Sequence, residues 1–282
     1  VPAAMLPEVL DSAADFGTTT LLGDPVPVLG VAGDQQAATI GQGCLAPGKT
    51  KATYGTGAFI LASTGKELPH SRNRLLGTVL HQLGGERHYA LEGAVFVAGS
   101  LIQWLRDSLR MIVSAPESEA LARSVEDNAG VVVVPALSGL GAPHWRPEAR
   151  AAITGLSFSA TRAHVVRAAL EAISHQTQDL AAAFAADGAE WTSLRIDGGM
   201  SANDWLAQDI ADLLQLPVTR PDFVETTALG AAMLAAVGAG LHPSLEAAAA
   251  GMIGGTTSFA PTMAEETRAA RLAAWDKALA VV

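Results

Sequence analysis

Apolar positions recur with a helical period over the longest stretch of the chain that any single pattern covers, from Thr161 to Phe184. There Val166, Leu170, Ile173, Thr177, Leu180 and Phe184 fall on one stripe, which predicts an amphipathic helix. A similar spacing of Val97, Leu101, Trp104, Leu105, Leu109 and Ile112 predicts helix across Glu92 to Ile112. Shorter helices are expected from Asp34 to near Gly41–Gly43, from near Asn203 to about Leu214, and at Ala228–Ala239, Leu245–Gly251 and Ala264–Leu279. Between them lie β-like runs. Val26–Ala32 is bounded by Pro25 and Gly33, Val131–Val134 precedes Pro135, and Leu194–Asp197 and Val218–Thr219 complete the set with Lys51–Tyr54 and Ala58–Ser63. The last two flank Gly55-Thr56-Gly57, a hairpin signal. Strands that alternate with helices in this way predict an α/β fold whose helices cover a mixed or parallel sheet.

Composition agrees with a large packed core. Of 282 residues, 49% are hydrophobic and 16% charged, below the roughly 25% charged content of an ordinary soluble domain. Acidic residues outnumber basic ones 28 to 18, a net charge of −10, so no nucleic-acid partner is expected. Thr226–Leu245 carries no charge, but Gly230, Gly238, Gly240, His242 and Pro243 make it a buried helix rather than a membrane span, and no membrane partner is expected. The single Cys44 reads as a small buried apolar residue, with nothing to suggest an oxidising compartment. The chain opens on Val1 and its first cation is Lys49, unlike a secretory leader, so it reads as an internal fragment. Seven histidines form no metal-ligand spacing and no G-x-S-x-G elbow occurs, so neither a protein-held metal nor a hydrolase triad is expected. Trp104, Trp205 and Trp275 lie in helical patterns and are assigned to the core.

Three strand ends carry glycine beside polar groups. Gly33-Asp34-Gln35-Gln36 places a carboxylate where a strand meets a helix, as a helix cap or as a catalytic group. Tyr54-Gly55-Thr56-Gly57 is either a plain hairpin turn or a set of N–H groups that converge on a phosphate, with the Thr56 hydroxyl as a further donor. Asp197-Gly198-Gly199 lets a flat ligand or phosphate approach the backbone, and Asn203 beyond it is either an N-cap or a ligand contact. None of these has Rossmann or Walker spacing.

In order along the chain, these segments resemble the FGGY family of carbohydrate kinases. The resemblance rests on Gly33-Asp34-Gln35-Gln36-Ala37, Tyr54-Gly55-Thr56-Gly57-Ala58-Phe59, Ala90-Leu91-Glu92-Gly93-Ala94-Val95-Phe96, Ile102-Gln103-Trp104-Leu105-Arg106-Asp107, Gly139-Leu140-Gly141-Ala142-Pro143 and Asp197-Gly198-Gly199. The family signature from Gly155-Leu156 through His164-Val165 to Ala168-Ala169-Leu170-Glu171 is also present. It corresponds to the end of the family's first domain, residues 1–43 with the catalytic-base segment, and all of its nucleotide-binding second domain, residues 44–282.

The resemblance implies an actin-like, Hsp70-like (ribonuclease H-like) ATPase fold, as the second domain of a two-domain sugar kinase that closes on ATP, Mg²⁺ and a polyol. It implies a cytoplasmic phosphotransferase acting on glycerol, or on a related polyol or sugar such as xylulose or gluconate, and it leaves room for a homo-oligomer. A non-catalytic actin-like nucleotide-binding module is the rival, and the fragment alone is expected to be inactive. By the same resemblance Asp34 is the general base, Gln35 and Phe59 contact the polyol, Gly55 and Thr56 the terminal phosphates, Gly99 and Gln103 the nucleotide, and Gly199 and Asn203 its adenosine. The implied role of Gly99 accounts for a glycine in mid-helix. His144 and Met200-Ser201 depart from the family pattern, and residues 1–50 have only Lys49 to meet the phosphates of a regulatory sugar bisphosphate.

Overall fold

The computed structural model describes residues 2–282. After a single 3₁₀ turn come the two-residue strands β1 (Thr18–Thr19) and β2 (Val26–Pro27), then α1 (Asp34–Gly41). An antiparallel run follows: β3 (Lys49–Tyr54), β4 (Ala58–Gly65), β5 (Leu76–Leu83) and β6 (Glu86–Val95). Next are α2 (Gly99–Asp107), α3 (Glu117–Arg123), β7 (Val132–Val134), β8 (Ala152–Thr154) and the long α4 (Arg162–Ala186). The chain returns through β9 (Ser193–Asp197), α5 (Asp204–Leu214), β10 (Val218–Pro221), α6 (Thr226–Gly238), α7 (Leu245–Met252), β11 (Thr256–Phe259) and α8 (Glu265–Leu279).

The main sheet has seven strands in the order β11-β10-β9-β3-β4-β6-β5. Its centre, β10-β9-β3, is parallel, and the strands on either side are antiparallel. Alternation of side chains along β3 sorts the two faces. Ala52 and Tyr54 point to a core shared with Ile173, Leu180 and Phe184 of α4 and Leu206 and Ile210 of α5. Lys51 points the other way, where its ammonium meets Gln35 of α1. On that side Ile40 of α1 packs with Met233 and Leu234 of α6 and Leu245 of α7. α1 and α6 cross closely because Gly41 and Gly230 face each other's backbone, and a methyl group at either would collide with a carbonyl of the opposite helix.

A second core gathers Leu101, Ile102, Val133, Val166, Leu170 and Trp275 between α2, β7, α8 and the far side of α4. Into it runs a buried ionic cluster. Arg271 grips Asp209 with two bonds of 2.6 and 3.0 Å, while Glu171 receives Arg167 at 3.0 Å and Asn128 at 2.7 Å. His175 stacks flat on Trp275, and burial pushes its pKa down to about 3, so it stays neutral. Cys44 is buried, its thiol pushed up to about 12 by the apolar surroundings. Among the described residues no helix is long and apolar enough to cross a membrane.

Several elements differ from the pattern-based expectation. Only Val26–Pro27 of the expected Val26–Ala32 strand is ladder, its partner strand stopping at Gly17, which has φ +102°, although Val28 and Val31 still donate to Gly17 and Ser12 at 2.8 and 2.9 Å. The helix expected from Glu92 begins at Gly99, since Glu86–Val95 lies between β4 and β5 and pairs with both. Pairing on two sides overrides weak local propensity there. Gly99 is therefore the first residue of α2 rather than a mid-helix glycine. Trp275 is fully buried, whereas Trp104 and Trp205 are half-buried at the margin of the second core. β5, β8, β11 and α3 carry too little pattern to be expected from sequence.

Removing Arg271 is expected to expose the cost of the ionic cluster. Arg271 holds the Asp209 carboxyl below its ordinary value against the opposing effect of burial, so the contribution is present above the unfolded value of ~3.9 and lost as pH falls through the folded one. Arg271→Met leaves that carboxylate buried and unpaired and should cost about 3–5 kcal/mol in urea denaturation at neutral pH. With the cation gone burial raises the Asp209 pKa, so the deficit should be smaller at pH 5 than at pH 8.

Candidate functional site

α1 starts at Asp34 with Gly33 as its N-cap, and no side chain caps it. The Asp34 carboxylate therefore does not close the helix in the manner of a capping aspartate. It accepts from the Gln35 N–H at 2.8 Å through Oδ1 and from the Gln35 amide at 3.4 Å through Oδ2, and it is exposed. Gln35 is anchored in turn by Lys51, whose Nζ donates to its Oε1 at 2.5 Å and to Thr53 Oγ1 at 2.8 Å. Phe59 stands opposite Thr53 in the β3–β4 register, so it lies on the same face of the sheet as Lys51 and Thr53. At 41% exposure it offers an open apolar surface.

On the far side of the β3–β4 turn a cleft of about 350 Å³ is lined by Tyr54, Gly55, Thr56, Gly99, Ile102, Gln103, Arg106, Ala115, Gly199 and Met200. Five of the residues singled out from sequence, Gly55, Thr56, Gly99, Gln103 and Gly199, thus converge on one cavity. Its walls are held by backbone bonds: Gly99 N–H donates to Gly55 C=O at 2.9 Å, and Ser100 N–H to Thr56 C=O at 3.0 Å. Gly198 has φ +84°, and a Cβ there would lie 2.5 Å from the Tyr54 carbonyl, so the chain can turn into the cleft only with glycine. Asn203 does not line the cleft. Its side chain caps α5 by accepting from the Leu206 N–H at 2.9 Å, and its amide reaches Ser118 at 3.5 Å. Of the two departures from the family pattern, Met200 forms part of the cleft wall, and His144 bonds Asp179 at 2.8 Å away from it.

Beneath these groups lie two buried charged side chains whose partners the sequence does not show. Lys51 is wholly buried in β3, and burial lowers its pKa to about 8 against the opposing attraction of Asp197, Cys44, Glu92 and Asp34. Asp197 closes β9 just before the glycine pair; its Oδ2 accepts from Gln42 at 3.0 Å and from the Thr226 hydroxyl, and its Oδ1 is buried without a partner. Burial raises the half-buried Glu92 carboxyl. Lys51 is one of two lysines in β3 and is visible in the sequence, but only the α1 contact shows what it serves. Among the described residues no group of three or more His, Cys, Asp and Glu side chains could hold a metal ion.

A mixed sheet with a parallel centre, helices on both faces and glycine turns at one end defines an actin-like ATPase domain. The model of the FGGY family of carbohydrate kinases, C-terminal domain, matches residues 50–239. The glycerol kinases of Rhodospirillum centenum and Alcanivorax borkumensis are 53% and 54% identical to this chain over 281 and 285 residues, which is 99% and 100% of it and 56% and 57% of theirs. The structure of Plasmodium falciparum glycerol kinase with ADP superposes with a TM-score of 0.92 at 34% identity, over 98% of this chain and 56% of that one. Xylulose kinase from Rhodospirillum rubrum gives a TM-score of 0.82 at 26% identity, over 99% of this chain and 58% of that one. The chain belongs to the FGGY family of carbohydrate kinases. It spans little more than half the length of the relatives it matches.

The capping geometry makes Asn203→Ala a test of how that residue contributes. Loss of the cap should lower stability by about 1 kcal/mol, seen as a lower denaturation midpoint with an unchanged denaturant slope.

Proposed function

We propose that the protein containing this chain transfers the γ-phosphoryl group of ATP to glycerol. The observation that carries the reading is the juxtaposition of two groups at one end of the sheet: the exposed Asp34 carboxylate with Gln35 and Phe59 on one side of the β3–β4 turn, and the cleft of Gly55, Thr56, Gly99, Gln103 and Gly199 on the other. About half identity to glycerol kinases of two bacteria supports glycerol over the other FGGY acceptors, against 26% to a xylulose kinase of the same fold.

In this reading the adenine nucleotide occupies the cleft with its terminal phosphates at the Gly55–Thr56 turn, where the Thr56 hydroxyl is a donor to the anion; the Gly55 N–H is already given to the Gly57 carbonyl at 2.9 Å. The carbon backbone of glycerol lies on Phe59 and a hydroxyl approaches Asp34. As that oxygen forms its bond to the γ-phosphorus, the bond from phosphorus to the β–γ bridging oxygen breaks and ADP leaves. Asp34 takes the hydroxyl proton, and a carboxylate suffices for this because the proton leaves late in a loose transition state. Asn203 acts on the nucleotide only through the position of α5. Mg²⁺ is expected to arrive with the nucleotide phosphates; among the described residues no group of three or more His, Cys, Asp and Glu side chains forms a separate site for it.

Asp34→Asn in the full-length protein should lower kcat by roughly 10²–10⁴ with little change in nucleotide KM or in thermal stability, since Asp34 caps nothing. Wild-type turnover in that variant would refute the assignment, and faster turnover on xylulose or gluconate than on glycerol would reassign the acceptor. The 282 residues alone should bind ADP weakly in calorimetry through the intact cleft and produce no glycerol 3-phosphate above an Asp34→Ala control, because in-line transfer needs both reactants held within about 3–3.5 Å.

A further inference from the structure

A wholly buried lysine is an expensive residue, and Lys51 is buried to 0% exposure in the middle of the sheet. An ammonium taken out of water is normally compensated by an ion partner. Among the described residues Lys51 has none within ion-pairing distance. Its two hydrogen bonds go to neutral oxygens, those of Gln35 and Thr53. Methionine fills almost the same volume without the desolvation cost, so packing does not explain a lysine here.

We propose that Lys51 is a positioning residue of the acceptor site, clamping the side-chain amide of Gln35 and, through it, the carboxylate of Asp34. This rests on the kinase reading above. An ammonium can only donate, so it draws Oε1 of Gln35 and leaves Nε2 turned to Asp34. Nε2 is the atom that lies 3.4 Å from Asp34 Oδ2, while the Gln35 N–H holds Oδ1 at 2.8 Å. Without the ammonium the amide is free to rotate by half a turn and present its oxygen to the carboxylate, which repels it. The carboxylate would then keep one of its two tethers. Thr53 completes the clamp from the same strand, two residues on and on the same face.

The clamp is sensitive to pH. Below about pH 8 Lys51 is protonated and holds Gln35 as a charged donor; above it the charge is lost and the hold weakens. The charged and titratable groups around it are Asp34 of α1, Cys44 just beyond α1, Glu92 of β6 and Asp197 of β9, with Arg195 its register partner on β9. The α6 member of this network, Thr226, is neutral.

The test uses the full-length protein with Lys51→Met, Gln35→Met, the double variant and Asp34→Asn. Lys51→Met should melt at the wild-type temperature or above it and bind ADP in calorimetry as the wild type does. Its kcat/KM for glycerol should fall on the order of 10²-fold, the scale of a small misplacement of a reacting group. Gln35→Met should cost little more in the Lys51→Met background than Lys51→Met costs alone, because both act through one amide. The fall of wild-type kcat/KM above about pH 8 should disappear in Lys51→Met. Wild-type kcat/KM in a folded Lys51→Met, or a loss that runs in parallel with lowered melting temperature and ADP affinity, would overturn the clamp. Should Lys51→Met fail to fold, Gln35→Met decides: a wild-type kcat/KM in that folded variant overturns the proposal. Full turnover in Asp34→Asn would instead defeat the kinase reading, and with it the group that Lys51 positions, whereas loss in Asp34→Asn with none in Lys51→Met defeats the clamp alone.

Discussion

One buried carboxylate holds three separate pieces of this structure to a common point. Asp197 ends β9, accepts from Gln42 at the end of α1, and accepts from Thr226 at the start of α6. A carboxylate 2% exposed is tolerated only with such donors, and a hydrogen bond to a charged group is worth about 1.5–3 kcal/mol. Directly beyond it the chain turns through Gly198 into the cleft beside the β3–β4 turn. The position of the Gly199 wall therefore depends on the same atoms that fix the end of α1, whose first residue is Asp34. The close glycine crossing of α1 and α6 adds to this link, because a Cβ at Gly41 or Gly230 would strike a backbone carbonyl of the opposite helix.

The two faces of the sheet carry different burdens. The face covered by α4 and α5 is apolar, and α4 adds a second core on its far side, where the Asp209–Arg271 pair and the Trp275 stack close the gap to α8. The face covered by α1 is polar at its centre. Lys51, Gln35, Thr53 and Gln42 bond there to one another or to Asp197 rather than to water. Local low dielectric strengthens each of those contacts and penalises any that is lost, so a polar network in this place specifies geometry more than it adds stability. That geometry belongs to the acceptor side of the proposed reaction.

Much of this architecture is legible in the amino-acid sequence alone. The stripe on Thr161–Phe184 ends within two residues of α4 at each end, and the Gly55-Thr56-Gly57 turn closes the β3–β4 hairpin as its spacing requires. The strand Glu86–Val95 is not legible, because Ala-Leu-Glu-Gly-Ala has no alternation and its extended form comes from β4 and β5 alone. At the site, Gly55, Thr56 and Gly199 of the cleft wall lie at glycine turns that the sequence marks plainly. Asn203 also stands out, but its place after the glycine pair fits a cap and a ligand contact equally, and the bond to Leu206 makes it the cap. Lys51 and Asp197 work through partners 16 and 155 positions away in the chain, and no local pattern signals that.

Exposure sets the last constraint on the proposed chemistry. Asp34, Gly55, Thr56 and Phe59 all face solvent, so within these residues nothing excludes water from the point where acceptor and phosphate would meet. Fixed charges and dipoles are far more effective once water is expelled. The contribution open to the exposed Asp34 carboxylate is then position. Position is what the buried layer below it supplies: Lys51 orients Gln35, Gln35 tethers Asp34, and Asp197 keeps the helix that bears both in register with the glycine loop of the cleft. Precision in this domain is built under the site, in the one part of it that the chain itself shields from solvent.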